Sequence, residues 1–285
     1  MSTAKFTRAI VRQIPDSIRD HSEANEYNAR YGLPPVEPID LDLARKEHAE
    51  YTQTLRDLGL DVTVLPADES LPDCPFVEDT CVIVGNRALL TRPYSESRRG
   101  EADAVNRVLM GLGLEIHQVD DEEATLEGGD VFFTGHEFFV GNSTRTNIKG
   151  IEFLRKTFPE YPVHAIPLAP PELHLKGVAC IAAPGVIAVC ESDWGIAAWK
   201  AIQEQAGFSY EALWTPVPDV DSPFIDDHTC DVIYFNGNLI HCMEEEGPKS
   251  VEIFAEKFPD LNRVEATVGE LQNVDAGLTC CSLIF

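Results

Sequence analysis

The sequence predicts an α/β protein built from five copies of one unit, strand–strand–helix–strand, closed into a pseudo-symmetric ring. Three observations carry that expectation. Apolar strand–turn–strand runs recur at an interval of about 50 residues. A stretch of helical periodicity follows each run, and one more short strand follows each helix. The fifth run is split between the two ends of the chain, so the ring closes by pairing the first strand with the last.

The first element is "TRAIVRQIP" (7–15), one half of the split run. The polar, Pro-containing stretch 19–40 reads as a long loop, and loops of that length often act as lids. A helix follows, with apolar residues at Leu41, Ala44, His48, Tyr51, Leu55 and Leu58, steps of three and four that share one helical face. "LDVTVLPA" is its closing strand. The intact hairpins are "CVIVGNRALLTRP" (81–93), "DVFFTGHEFFVG" (130–141), "VACIAAPGVIAVC" (178–190) and "DVIYFNGNLIHC" (231–242), each with Gly, Asn or Pro at the break. Their helices are marked by Ala102, Val105, Val108, Leu109 and Leu112; by Ile148, Ile151, Leu154 and Phe158; by Trp194 to Ile202; and by Val251, Phe254 and Phe258. The strands "LEIHQVD", "YPVHAIPL", "YEALWTPV" and "NRVEATV" complete the units. "LTCCSLIF" (278–285) is expected to pair with 7–15 as a buried strand. Strand alternation then points Cys280 and Cys281 to opposite faces, so at most one of them faces a central cavity. No linker interrupts the pattern, and residues 1–285 are expected to form one catalytic domain.

Composition narrows the function. The chain of 285 residues carries 48 acids against 22 bases, a net charge of −26. Such a surface repels nucleic acid and anionic membrane and admits a small cationic substrate. No apolar run approaches the ~18 residues of a membrane helix, and the first residues lack the apolar core of a signal peptide. Eight scattered cysteines without an export signal read as thiols of a reducing, cytoplasmic compartment.

The residues that could carry chemistry fall at the unit boundaries. Asp73, Glu78 and Asp79 precede the first intact hairpin, and Glu127 and Asp130 open the second. His174 precedes the third, and Asp275 and Cys280 lie in the fifth unit. Taken singly, each has a plain structural reading: a core cysteine, a hydrogen-bonded histidine, a Gly-Gly turn, a solvated acidic turn. Their shared phase is what argues for a site. A thiolate is a strong nucleophile, an imidazole lowers its pKa and moves protons, and a carboxylate orients that imidazole. Further carboxylates grip a planar cation through paired N–H groups, and a guanidinium is such a cation. "DDHTC" (226–230) with His241 and Cys242 offers zinc-ligand residue types without the spacing of a finger, so no metal is assigned.

At these residues the sequence resembles the dimethylarginine dimethylaminohydrolase family of the guanidino-group-modifying (pentein) superfamily. The matching motifs are "DESLPDCPFVED", "LLTRP" with "SRR", "TLEGGDVFFTG" with "EFFVG" and "RTN", "LHLKG", "LTCCS" and, near the start, "AIVRQIPDSI". The resemblance implies a five-fold α/β propeller of ββαβ units, in agreement with the repeat. It implies Cys280 as nucleophile, His174 as proton donor and Glu127 as the third catalytic residue. It implies Asp73 at the substrate amino group, Glu78 and Asp79 at the guanidinium, Arg98 and Arg145 at the α-carboxylate, and Val274 through its backbone. The implied reaction converts Nω-methylated arginine to citrulline and methylamine or dimethylamine through a Cys thiouronium. No cofactor is implied; zinc at Cys280 is conceivable as inhibition and not as catalysis, and whether it inhibits is left open. The expected partner is a small guanidino substrate, and the expected assembly a monomer or homodimer. The sequence departs from the family in residues 19–40, where Glu23, Glu26, Tyr27 and Arg30 lie in the extended lid. That leaves open an arginine deiminase-like hydrolase of another guanidine, or a propeller that binds without catalysis.

Overall fold

A computed structural model describes residues 5–217 and 227–285. Asp226 of the "DDHTC" motif lies outside the described residues, as do the side chains of Asp227 and His228. The described chain holds five separate three-stranded sheets, each a hairpin plus one parallel strand reached through a helix. It falls into two compact units: Phe6–Gly128 with Thr267–Phe285, and Gly129–Ala266 with Lys5.

The first unit contains two sheets. Strand Arg8–Arg12 lies between the antiparallel Leu283–Ile284 and the parallel Asp61–Leu65, with Ala9 opposite Ile284 and also Val62. The end of the chain is pinned by Thr7 and Arg8 N–H groups donating to the Phe285 carbonyl at 2.9 and 2.8 Å. Between these strands runs the helix Leu41–Asp57. Asp40 caps it, accepting from the amides of Asp42 and Leu43, a cap worth about 1 kcal/mol. Its buried stripe is Ala44, His48, Tyr51 and Leu55, as the spacing predicts. The second sheet pairs Cys81–Val84 with Arg87–Leu90 and adds Glu115–Gln118 after the helix Ala102–Gly111. Ile10, Leu65, Leu90, Val105, Leu109 and Leu283 form one core cluster. Each such side chain contributes roughly 1.5–3 kcal/mol by leaving water.

The second unit holds three sheets of the same plan. Their hairpins are Val131–Phe133 with Phe138–Asn142, Ala179–Ala183 with Val186–Cys190, and Ile233–Phe235 with Asn238–His241. The parallel strands are Val163–Pro167, Glu211–Thr215 and Asn262–Glu265. Asn236 and Gly237 both adopt positive φ, which gives the tight primed turn that suits strand twist.

Two sequence expectations change. Residues 19–40 are not all loop, because Ile18–His21 and Ala24–Tyr31 are helical, with Ile18, Ala24 and Tyr27 buried. The polar composition hid a short amphipathic helix closed by left-handed Gly32. "LTCCSLIF" is not one strand either. Thr279–Cys281 is a 3₁₀ turn, and only Leu283–Ile284 forms a strand. The cysteines therefore diverge through the ~120° step of a 3₁₀ turn and not through strand alternation.

Each sheet is preceded by such a turn: Val77–Thr80, Gly128–Asp130, Leu175–Gly177, Asp227–Cys230 and Thr279–Cys281. The shared phase of the candidate residues has this physical basis. Glu78, Asp79, Glu127, Asp130, His174 and Cys280 sit on, or one residue before, a turn that feeds a sheet, and Asp73 and Asp275 each lie four residues before one.

Candidate active site

In the first unit, the Val77–Thr80 turn carries Glu78 and Asp79, both buried. Asp79 Oδ2 accepts from Arg98 Nη1 at 2.8 Å. The Arg98 fork meets Glu101, with Nε to Oε1 at 3.1 Å and Nη2 to Oε2 at 2.9 Å, while Nη2 also reaches the Phe76 carbonyl at 3.3 Å. Burial works against the Arg98 charge. Glu101, Asp79 and Glu127 outweigh it and hold the guanidinium pKa well above its ordinary value. Arg98 is therefore a cation locked into an acidic wall.

The thiol turn is tied to that wall. Thr279 Oγ1 donates to Glu78 Oε2 at 2.9 Å, and Thr279 directly precedes Cys280. Of the eight cysteines seven are buried and Cys280 alone is half-buried. Cys281 is fully buried, its Sγ donating to the Gly277 carbonyl at 3.7 Å. Burial pushes the Cys74 thiol up to about 11 and the Cys242 thiol up to about 12, values that keep both protonated and inert. Val274 is buried just before Asp275, which adopts a left-handed φ of 63°.

Glu127 is fully buried and accepts the Tyr94 amide at 2.9 Å. The next residue has to be glycine. A Cβ on Gly128 would stand 1.9 Å from the Glu78 carbonyl oxygen, so the two acidic segments meet backbone to backbone. Asp73 lies under the 19–40 segment, taking Ser22 Oγ at 2.7 Å and the Glu23 amide at 3.1 Å. Burial pushes its carboxyl up, against the pull of Arg98 and these two donors. The Glu23 carboxylate accepts from Ser97 Oγ, and Arg30 Nη1 meets Tyr94 Oη at 3.5 Å.

In the second unit, His174 is buried in extended backbone directly before the Leu175–Gly177 turn. Arg145 is buried in the loop between strand Phe138–Asn142 and the helix Ile148–Thr157. Asp130 is fully buried and accepts the Leu175 amide at 3.0 Å and Ser143 Oγ at 2.7 Å. Burial pushes its carboxyl up to about 6, opposed first by the charge of His174 and then by its donors.

The first unit thus gathers Glu78, Asp79, Arg98, Glu127 and the Cys280 turn, with Asp73 and Glu23 joined beside them. The second gathers Asp130, the Arg145 loop and His174. Sequence reading missed the residues that hold these groups: Thr279, Glu101, Ser22 and Ser143. Glu101 had a signal, an acid three residues after Arg98 at helical spacing. The others are common hydroxyl residues with none.

Five three-stranded sheets of one ββαβ plan, each entered through a 3₁₀ turn, define the pentein-type α/β propeller fold. Solved structures share that fold. The dimethylarginine dimethylaminohydrolase of Pseudomonas aeruginosa, a cysteine-to-serine mutant complexed with citrulline, superposes with a TM-score of 0.80 at 24% identity, over 99% of this chain and 100% of that one. The family model for eukaryotic N,N dimethylarginine dimethylhydrolase matches residues 19–194. A human relative described as "Putative hydrolase DDAH2" is 36% identical over 98% of this chain and 94% of its own. The Pseudomonas aeruginosa N(G),N(G)-dimethylarginine dimethylaminohydrolase is 26% identical over 86% of this chain and 90% of its own. The chain belongs to the dimethylarginine dimethylaminohydrolase family, hydrolases of non-peptide C–N bonds. Among the described residues no helix is long and apolar enough to cross a membrane.

Proposed function

We propose that this chain hydrolyses Nω-methylated arginine to citrulline and methylamine or dimethylamine, its two units acting as one catalytic domain. The observation that carries the reading is Cys280: the half-buried thiol among eight, on a turn bonded to the acid that the family likeness assigns to the guanidinium. The Cys280 thiolate attacks the guanidinium carbon. His174 donates a proton to the departing amine, and a thiouronium remains on sulfur. His174 then takes a proton from water, which adds to the same carbon, and the C–S bond breaks to return thiolate and release citrulline. Glu127 orients His174 and stabilises its protonated form.

Glu78 and Asp79 hold the guanidinium by charge-assisted hydrogen bonds. Their negative charge raises the cost of a thiolate, and the bound cation offsets that cost. The substrate thereby helps to ionise its own nucleophile. Asp73 takes the α-amino group. Arg145, with Arg98, takes the α-carboxylate. Because Glu101 engages Nε and Nη2 of Arg98 and Asp79 engages Nη1, its share rests on charge. Val274 contributes backbone, and Glu23 lines the lid.

The test is a substrate panel of mono- and dimethylated arginines and arginine itself, reading citrulline, amine and ammonia, with Cys280→Ser as control. Methylated substrates should release amine with the larger kcat/KM. Faster release of ammonia from arginine would replace the reading with a deiminase, and the absence of turnover on every guanidine would replace it with a binding protein.

A further inference from the structure

Asp130 has no part in the chemistry above, yet it is fully buried and its surroundings are built around a carboxylate. Oδ1 accepts the Leu175 N–H at 3.0 Å. That N–H belongs to the peptide joining His174 to Leu175, and a planar peptide held at its N–H fixes the direction in which the chain leaves His174. Oδ2 accepts from Ser143 Oγ at 2.7 Å. Ser143 Oγ in turn accepts the amides of Arg145 at 2.9 Å and Thr146 at 3.1 Å. A hydroxyl has one hydrogen and two lone pairs, so Ser143 is saturated, and its hydrogen goes to Asp130. The Thr146 hydroxyl also bonds the same carboxylate. The cradle is closed by Gly141, where a Cβ would stand 2.2 Å from Asp130 Oδ1 and 3.2 Å from Leu175 Cβ.

We infer that Asp130 is a positioning residue that ties the proton donor His174 and the carboxylate clamp Arg145 to one buried anchor. The inference rests on the functional reading above for the roles of those two residues. Its geometry makes a chemical demand. Asp130 faces an amide and two hydroxyls, all donating to it. Asparagine removes the charge that strengthens both arms and brings an NH₂ that must meet one of these donors, so both arms weaken even though the shape is kept. Alanine at 143 cuts only the Arg145 arm and leaves the Leu175 bond in place. Threonine at 143 keeps the hydroxyl.

The experiment compares wild type, Asp130→Asn, Ser143→Ala and Ser143→Thr as folded, purified full-length proteins, reading kcat and KM for dimethylated arginine and the His174 ring resonances by NMR. Asp130→Asn should lower kcat about 10²-fold, the effect of misplacing a reacting group by about 1 Å, and raise KM about tenfold. Ser143→Ala should raise KM about tenfold with kcat within about threefold, and Ser143→Thr should restore most of that loss. The His174 resonances should move in Asp130→Asn and stay in place in Ser143→Ala. A lower melting point with unchanged kinetic constants would make Asp130 a packing residue only. Movement of one constant alone in Asp130→Asn would deny the common anchor. If Asp130→Asn does not fold, the Ser143 pair decides: an unchanged KM in alanine, or no rescue by threonine, overturns the claim. If wild type releases no citrulline, the functional reading fails, and the NMR comparison still tests the link to His174: a shift upholds it and no shift removes it.

Discussion

Gly128→Ala adds one methyl group where two acidic segments touch. The new Cβ would stand 1.9 Å from the Glu78 carbonyl oxygen, and real Cβ contacts essentially never fall under 3.0 Å. The backbones must therefore part by at least the difference, 1.1 Å. The obstacle is main chain, so no side-chain rotation relieves it. Overpacking of this kind costs typically 1–3 kcal/mol, and with backbone on both sides the upper end applies. At roughly 2–4 °C per kcal/mol, a cost of about 3 kcal/mol lowers the melting midpoint by about 6–12 °C. Activity should suffer more. Glu127 and Glu78 flank the contact, and a displacement near 1 Å at a reacting centre costs about 10²-fold. Thermal melts and citrulline release on the folded variant measure both numbers. A Gly128→Ala protein with wild-type melting point and wild-type kcat would refute the reasoning, since the two segments would then not meet as described.

Cys281→Ser should keep most activity, because the buried Cys281 Sγ faces the Gly277 carbonyl and not the chemistry; loss equal to that of Cys280→Ser would contradict the site. Arg98→Met leaves Asp79 and Glu101 buried without their shared cation, and breaking such a pair costs about 3–5 kcal/mol; urea melts within 1 kcal/mol of wild type would show that the triad is not as buried as it stands. Burial pushes His48 down to about 4, so it stays neutral in the fold while the unfolded chain takes up a proton near pH 6.5. That contribution is present above about pH 6.5 and lost as pH falls toward 4; between pH 7 and 5 it amounts to about 2 kcal/mol. The difference between wild type and His48→Leu isolates it from Asp130, whose raised pKa works in the opposite sense, and a pH-independent difference would contradict the burial of His48.

Much of the fold was legible because its signals are local and repeated. The period-two and 3.6-residue patterns of "CVIVGNRALL" and "LDLARKEHAEYTQTL" need no tertiary knowledge, and the repetition reinforces each weak hairpin. The lid helix Ala24–Tyr31 was not legible, because its buried face is only Ala24 and Tyr27 in a polar run. The terminal turn was missed for the opposite reason. Apolar "LTCC" looks like strand, while Thr279 is held by Glu78, about two hundred residues away. The same limit hid the partners of the candidate site. Cysteine, histidine and acids announce themselves by residue type and phase, whereas Ser22, Ser143 and Thr279 act through single long-range bonds that leave no periodic trace. Asp130 was singled out by phase, but its purpose appears only with its three donors.

Acid-quenched peptide mass spectrometry of the protein during turnover of dimethylated arginine tests the central claim most directly. A thiouronium adduct should appear on the peptide containing Cys280, at steady state and on no other cysteine, and both adduct and citrulline should vanish in Cys280→Ser. Citrulline release that persists in Cys280→Ser, or turnover with the adduct on a different residue, would contradict it.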